Sequence, residues 1–320
     1  MMKRWGHAVE NLVFSINVVL PIFLLMCSGT LFRKINLFDE EFLVKANSFA
    51  FKVLLPTHLF NNIYKSEVSD SINIKLILFA VSIVIAVIGI TIIIVQKFEK
   101  DNRNRGIIIQ GLYRSNFVLF GVPLSLNLFG ESNLGAVTTL IAIIIPLYNF
   151  MAVIILDWYS NDKSDYKKTI ISIIKNPLIV GCFLGIIVSV MNVKLPLFAE
   201  KTINEVAEMA TPLALMALGG EIAIKGIDKN LNYIAIVSIG KLIVIPAFVV
   251  AAGYAFGFRG VELGALFSMT APSCSVSSYT MACQYECNDE LAGQLVFFTA
   301  LFSPITIFLF IFFLKTVGVF

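Results

Sequence analysis

The chain has 320 residues, 58% of them apolar and 14% charged, with a formal net charge of +3 and a mean hydropathy of +0.87. A water-soluble domain carries about 25% charged residues, so the composition excludes an ordinary soluble fold and indicates an all-α polytopic membrane protein. The lysines are scattered through connectors and form no basic patch, which excludes a nucleic-acid partner.

Ten apolar segments follow one another at roughly residues 12–32, 42–64, 73–96, 106–130, 133–157, 170–191, 203–224, 231–256, 261–286 and 291–314. The first lies behind Lys3 and Arg4 and has the outline of a secretion signal. It shares in the repeat described next, so it is expected to stay as the first helix. The longest connector, WYSNDKSDYKK (158–168), is too small for a domain. Among the five cysteines, Cys283 and Cys287 are four residues apart on one helical face. Only His7 and His58 are present besides, so neither a metal site nor another cofactor is expected.

Prolines and glycines mark an internal repeat. Pro21, Gly29 and Pro56 recur as Pro177, Gly185 and Pro212 at an offset of 156. Leu134 recurs as Leu291 at 157, and Pro146 as Pro304 at 158. Five helices followed by five more place the second set upside down, an arrangement found in secondary transporters. The expected division is residues 1–157, a short cytoplasmic linker at 158–169, and residues 170–320. Lysine and arginine favour the connectors after segments 1, 3, 5 and 7 by eleven to seven. That bias predicts a multi-pass protein of the cytoplasmic membrane with both termini outside the cytoplasm.

The fourth segment, GIIIQGLYRSNFVLFGVPLSLNLFG (106–130), carries Arg114, Ser115 and Asn116 at its centre, where charge is costly. An offset of 157 carries these three onto Ala271, Pro272 and Ser273 in the ninth segment. Pro272 breaks a helix there, and the serines and threonines around it can satisfy freed backbone groups. Both segments are therefore expected to break near the midplane and to form a cavity suited to a small anion, with Arg114 holding a carboxylate. A second reading pairs Arg114 with a buried acid of the chain, Glu221 or Asp157. Tyr148 and Asn149, which follow Pro146, either line the cavity or join helices. Lys241 and Glu221 are candidates for a coupling charge or a structural ion pair. His58 is assigned to packing.

The stretches LLPTHLF (54–60), RSNFVLFGVPL (114–124), TPLALMALGG (211–220), KLIVIPA (241–247) and GFRGVELGALFSMTAPSCSVSSYTMACQYECNDEL (257–291) resemble the auxin efflux carrier family, which includes plant carriers and many bacterial transporters. The resemblance implies ten helices in a five-plus-five inverted repeat of the sodium/proton-antiporter and bile-acid-symporter type. It further implies a scaffold from helices 1, 2, 6 and 7, a mobile transport domain from helices 3–5 and 8–10, and crossing helices 4 and 9. Homodimers through the scaffold and an elevator-type movement would follow. Asn116, in N-x-x-x-x-G-x-P (116–123), matches a substrate-site asparagine of the plant carriers, and Pro272 their ninth-helix proline. Ser115 preceded by Arg114 departs from the plant proline at that place, and the long central loop is missing. Both departures count against auxin, while the resemblance to the bacterial branch implies a malate- or malonate-like acid, a compact dicarboxylate that Arg114 fits better.

The leading function is transport of a small organic anion, coupled to protons, sodium or the membrane potential. The chain has no phosphate-binding loop of the G-x-x-x-x-G-K-[ST] form and neither H-E-x-x-H nor G-x-S-x-G, so no enzyme activity is expected. An intramembrane enzyme or a non-transporting sensor is the alternative.

Overall fold

A computed structural model describes residues 20–21, 24–65, 73–117, 121, 124–125, 128–130, 135–160, 175–191, 193–221 and 227–319, without the side chains of Ser160, Glu221, Ile227 and Asp228. The start of the first segment and most of the 158–169 linker lie outside these residues. Almost everything described is helix, and the one β feature is an isolated bridge. After helical residues 24–34 come α1 (Glu40–Phe49), α2 (Leu55–Lys65), α3 (Ile74–Phe98), α4 (Asn102–Tyr113) and α5 (Gly135–Ser160). The chain continues with α6 (Pro177–Val190), α7 (Leu197–Glu208), α8 (Ala210–Glu221), α9 (Ile227–Ile239), α10 (Ile245–Ala255), α11 (Gly260–Thr270), α12 (Val276–Gln284) and α13 (Asp289–Thr316).

Among the described residues four stretches are long and apolar enough to cross a membrane: Ile74–Phe98, Gly135–Tyr159, Lys229–Ala255 and Asp289–Thr316. Their outer faces carry exposed Leu78, Ile85, Ile93, Ile243, Phe248, Ile305, Leu309 and Phe312. A water-soluble monomer does not expose aliphatic and aromatic surface in such continuous bands, so the lipid bilayer is the solvent for these faces.

Prolines explain most interruptions. A proline lacks the N–H that would close a turn and crowds the carbonyl four residues earlier. Before Pro56 and before Pro246 the chain widens into single π-turns, Ala50–Leu54 and Gly240–Val244. There Leu55 donates to the Ala50 carbonyl and Ile245 to the Gly240 carbonyl, five residues back. Pro212 gives a sharper result. The predicted single segment 203–224 is two helices, α7 and α8, because the Glu208 carbonyl loses its donor at position 212 and the turn opens at Met209. Within α13, Pro304 frees the Ala300 carbonyl, and the Ser303 hydroxyl donates to it at 3.1 Å.

Helix packing is tightest where glycine lets backbones touch. A Cβ on Gly29 would lie 1.9 Å from the Met216 carbonyl oxygen, and one on Gly219 would lie 1.9 Å from that of Met26. Thr30 seals the same seam by donating to the Gly219 carbonyl at 2.7 Å. The neighbour is backbone in both cases and cannot step aside. Gly219→Ala should therefore destabilise the protein by about 1–3 kcal/mol or prevent its accumulation. Gly89→Ala, where nothing lies within 4 Å of the added carbon, should not lower the melting temperature in detergent, because alanine is the better helix former.

Candidate functional site

α4 ends at Tyr113 and α11 at Thr270, and the two broken ends meet. Ser115 and Cys274 form an antiparallel bridge, and the Asn116 N–H donates to the Ser273 carbonyl at 2.9 Å. The Cys274 N–H is taken by the Thr299 hydroxyl of α13 at 3.0 Å, while the Cys274 thiol donates to the Gly111 carbonyl at 3.1 Å. Unwound backbone inside a membrane protein must find such partners, because lipid offers none. The ninth segment thus resumes as α12 only at Val276, and both segments predicted to break are broken.

Arg114 caps α4 and is 3% exposed. Its guanidinium donates to Gln110 Oε1 at 2.7 Å and to Asn149 Oδ1 at 2.5 Å, and lies 2.8 Å from Met281 Sδ. These partners are all neutral. Among the described residues no carboxylate forms an ion pair with it. Asp157 stands on the same helix as Asn149, eight residues further on, or about 12 Å along the axis. The side chain of Glu221, the other acid considered, lies outside the described residues.

Arg114 borders a cavity of about 60 Å³ together with Ser115, Asn116, Tyr148, Asn149, Ser275, Ser277, His58, Asn62 and Thr211. One water needs about 10–15 Å³, so the space admits a few waters or one compact acid. Three polar atoms on the cavity-lining residues, Ser115 Oγ, Tyr148 Oη and Asn62 Nδ2, are buried and have no hydrogen-bond partner among the described residues. Each can donate a hydrogen bond. The first turn of α12 also borders the space through Val276 and Ser277, and a helix N-terminus carries partial positive charge. The described residues lining the cavity include no Asp or Glu. The described walls therefore offer hydrogen-bond donors and positive charge.

Five of the eight residues expected at the binding site thus border the cavity: Arg114, Ser115, Asn116, Tyr148 and Asn149. Ala271, Pro272 and Ser273 sit on the crossover but not on the cavity wall, where Ser275 and Ser277 stand instead. Lys241 lies apart, fully buried in the second π-turn, with no hydrogen-bond partner for its Nζ among the described residues. His58, assigned to packing, is a wall of the cavity, as is Asn62 one turn further along α2. The cue for His58 was its place after Pro56, the repeat mate of Pro212, because both helices that follow these prolines border the site.

A described helical chain with apolar outer faces and two broken helices crossing beside a polar cavity has the architecture of a membrane transport protein. Sequence comparison agrees: the membrane transport protein family model matches residues 14–168 and again residues 160–311. The chain belongs to this family, that of the auxin efflux carriers. No curated protein matches it.

The crossover depends on Thr299. Thr299→Val keeps the shape but leaves the buried Cys274 N–H unpaired, at a cost of about 1–3 kcal/mol. Its melting temperature in detergent should fall by several degrees, whereas Thr316→Val, at the exposed end of α13, should match the parent.

Proposed function

We propose that the protein is a secondary transporter for a small organic anion, a compact dicarboxylate of the malate or malonate type, in the cytoplasmic membrane. The observation that carries this reading is Arg114, a buried guanidinium with only neutral protein partners, bordering a cavity with unpaired donors and no acid among its described walls. A planar guanidinium holds a carboxylate through two parallel hydrogen bonds.

The ten-helix inverted repeat is part of the proposal, and recurring contacts support it. Gly29 packs on Met216, and Gly185 packs on Phe60; adding 156 to 29 and 60 gives 185 and 216. The crossover repeats as well, since adding 158 to 115 and 116 gives 273 and 274, and the observed pairs are 115 with 274 and 116 with 273. A twofold relation between the halves exchanges each contact with its mate. The first half then runs through residue 157 and the second from 170, with both termini outside the cytoplasm.

The cavity walls fall into two groups. His58, Asn62, Leu178, Thr211 and Ala214 come from α2, α6 and α8; Arg114, Tyr148 and Ser275 come from the crossover and α5. In the proposed mechanism the first group belongs to a fixed scaffold, through which two copies would pair. The second moves across the membrane as an elevator with the anion held against Arg114.

Truncating one side of a buried charged contact costs about 2–5 kcal/mol, and 1.4 kcal/mol is about tenfold in affinity. Arg114→Gln should therefore weaken carboxylate binding from roughly thirty-fold to several thousand-fold and abolish measurable uptake into proteoliposomes. Arg114→Lys keeps the charge without the paired geometry and should retain a little uptake. If Arg114 instead balances Glu221, Arg114→Gln will lower the melting temperature and a second change, Glu221→Gln, will restore both stability and transport.

A further inference from the structure

His58 is the one titratable side chain on the α2, α6 and α8 side of the cavity among the described residues, and it stands on the wall other than that of Arg114. Its Nδ1 lies 3.2 Å from the Ala207 carbonyl oxygen. A carbonyl can only accept, so Nδ1 carries hydrogen and Nε2 is the atom that gains or loses a proton. The side chain is partly exposed and lines the cavity. Other titratable or charged groups on the elements around it are Arg114; Tyr148, Asp157 and Tyr159 on α5; Cys182 on α6; Glu200, Lys201, Glu205 and Glu208 on α7; Glu221 on α8; and Lys52, Tyr64 and Lys65 on its own segment. Only Arg114 and Tyr148 share the cavity with it.

We infer that His58 is the proton-carrying contact of the anion site: a dicarboxylate places one carboxylate on Arg114 and the other beside His58, which takes up a proton at Nε2 as the anion binds. The inference rests on the anion-site reading above and adds the coupling ion and the charge of the substrate. A histidine changes charge between about pH 5 and pH 8, so one proton can enter with each dianion and leave with it. The sign follows directly. The bound dianion raises the proton affinity of Nε2, so binding is strongest at acid pH and weakens as pH rises through the raised value. Between the value in the free protein and the raised value the loss approaches about tenfold per pH unit, and above the raised value it levels off.

Isothermal titration of the detergent-solubilised protein with malonate tests this, run at about pH 6 and about pH 8 and in two buffers of different ionisation enthalpy. The parent should take up about one proton per malonate near neutral pH and bind it at least about tenfold more weakly at the higher pH. Acetate, with one carboxylate, should bind weakly with no proton uptake. His58→Gln, checked for folding by melting temperature, should lose both the proton uptake and the pH dependence, with His58→Asn as the second variant. If a folded His58 variant keeps the full proton uptake while Arg114→Gln loses malonate, the proton sits elsewhere and this inference is wrong, though the anion site stands. If Arg114→Gln binds malonate as the parent does, the anion site itself is wrong. Should both His58 variants unfold, the parent alone decides, because zero proton uptake, or no malonate binding at all, overturns the inference.

Discussion

Backbone amides inside a bilayer have no water to fall back on, and an unpaired one costs several kcal/mol. A transporter nevertheless needs unwound backbone at that depth to present helix ends to its cargo. Here the conflict is resolved by bringing two breaks against each other. Ser115 faces Cys274, Asn116 donates to Ser273, and Thr299 takes the remaining Cys274 N–H. The position of Arg114 is a consequence of this arrangement. It is the last residue before the extended stretch, so its side chain folds back along α4 to Gln110 and across to Asn149, while its guanidinium borders the cavity.

The same constraint shapes the rest of the molecule. Four prolines are each met by a local device: a π-turn before Pro56 and Pro246, an opened turn before Pro212, a serine hydroxyl before Pro304. Glycines then allow the remaining helices to meet backbone to backbone along the seam between residues 24–34 and α8. The result, in the proposed mechanism, is one rigid group of helices beside another, with the polar cavity between them. A cavity whose two walls belong to different rigid groups is the geometry that an elevator movement requires.

Much of this was legible in the residues themselves. Prolines and glycines at a nearly constant offset pointed to residues 114–116 and 271–273 as matching breaks, and the pairing that forms differs by a single residue. Composition alone identified the bilayer as the solvent. The cavity's far wall was not legible. His58 and Asn62 lie more than fifty residues from Arg114, and periodicity says which face of α2 is polar but not what that face meets. Ser275 and Ser277 were likewise hidden, because a break displaces the chain by a few residues and so moves the cavity-facing positions past Pro272 onto the first turn of α12. The division of segment seven into α7 and α8 follows from Pro212 once the lost hydrogen bond is assigned to the Glu208 carbonyl, a step that hydropathy averages pass over.

The central claim is that a carboxylate of the substrate, and not a carboxylate of the chain, completes the coordination of Arg114. An electron cryomicroscopy map of the protein in lipid nanodiscs, recorded with and without saturating malonate, tests it directly. The account predicts ligand density in contact with the guanidinium and with the Ser115 and Tyr148 hydroxyls, present only with malonate. A map in which Glu221 or another acid of the chain occupies that place in both conditions, with malonate elsewhere, would contradict it.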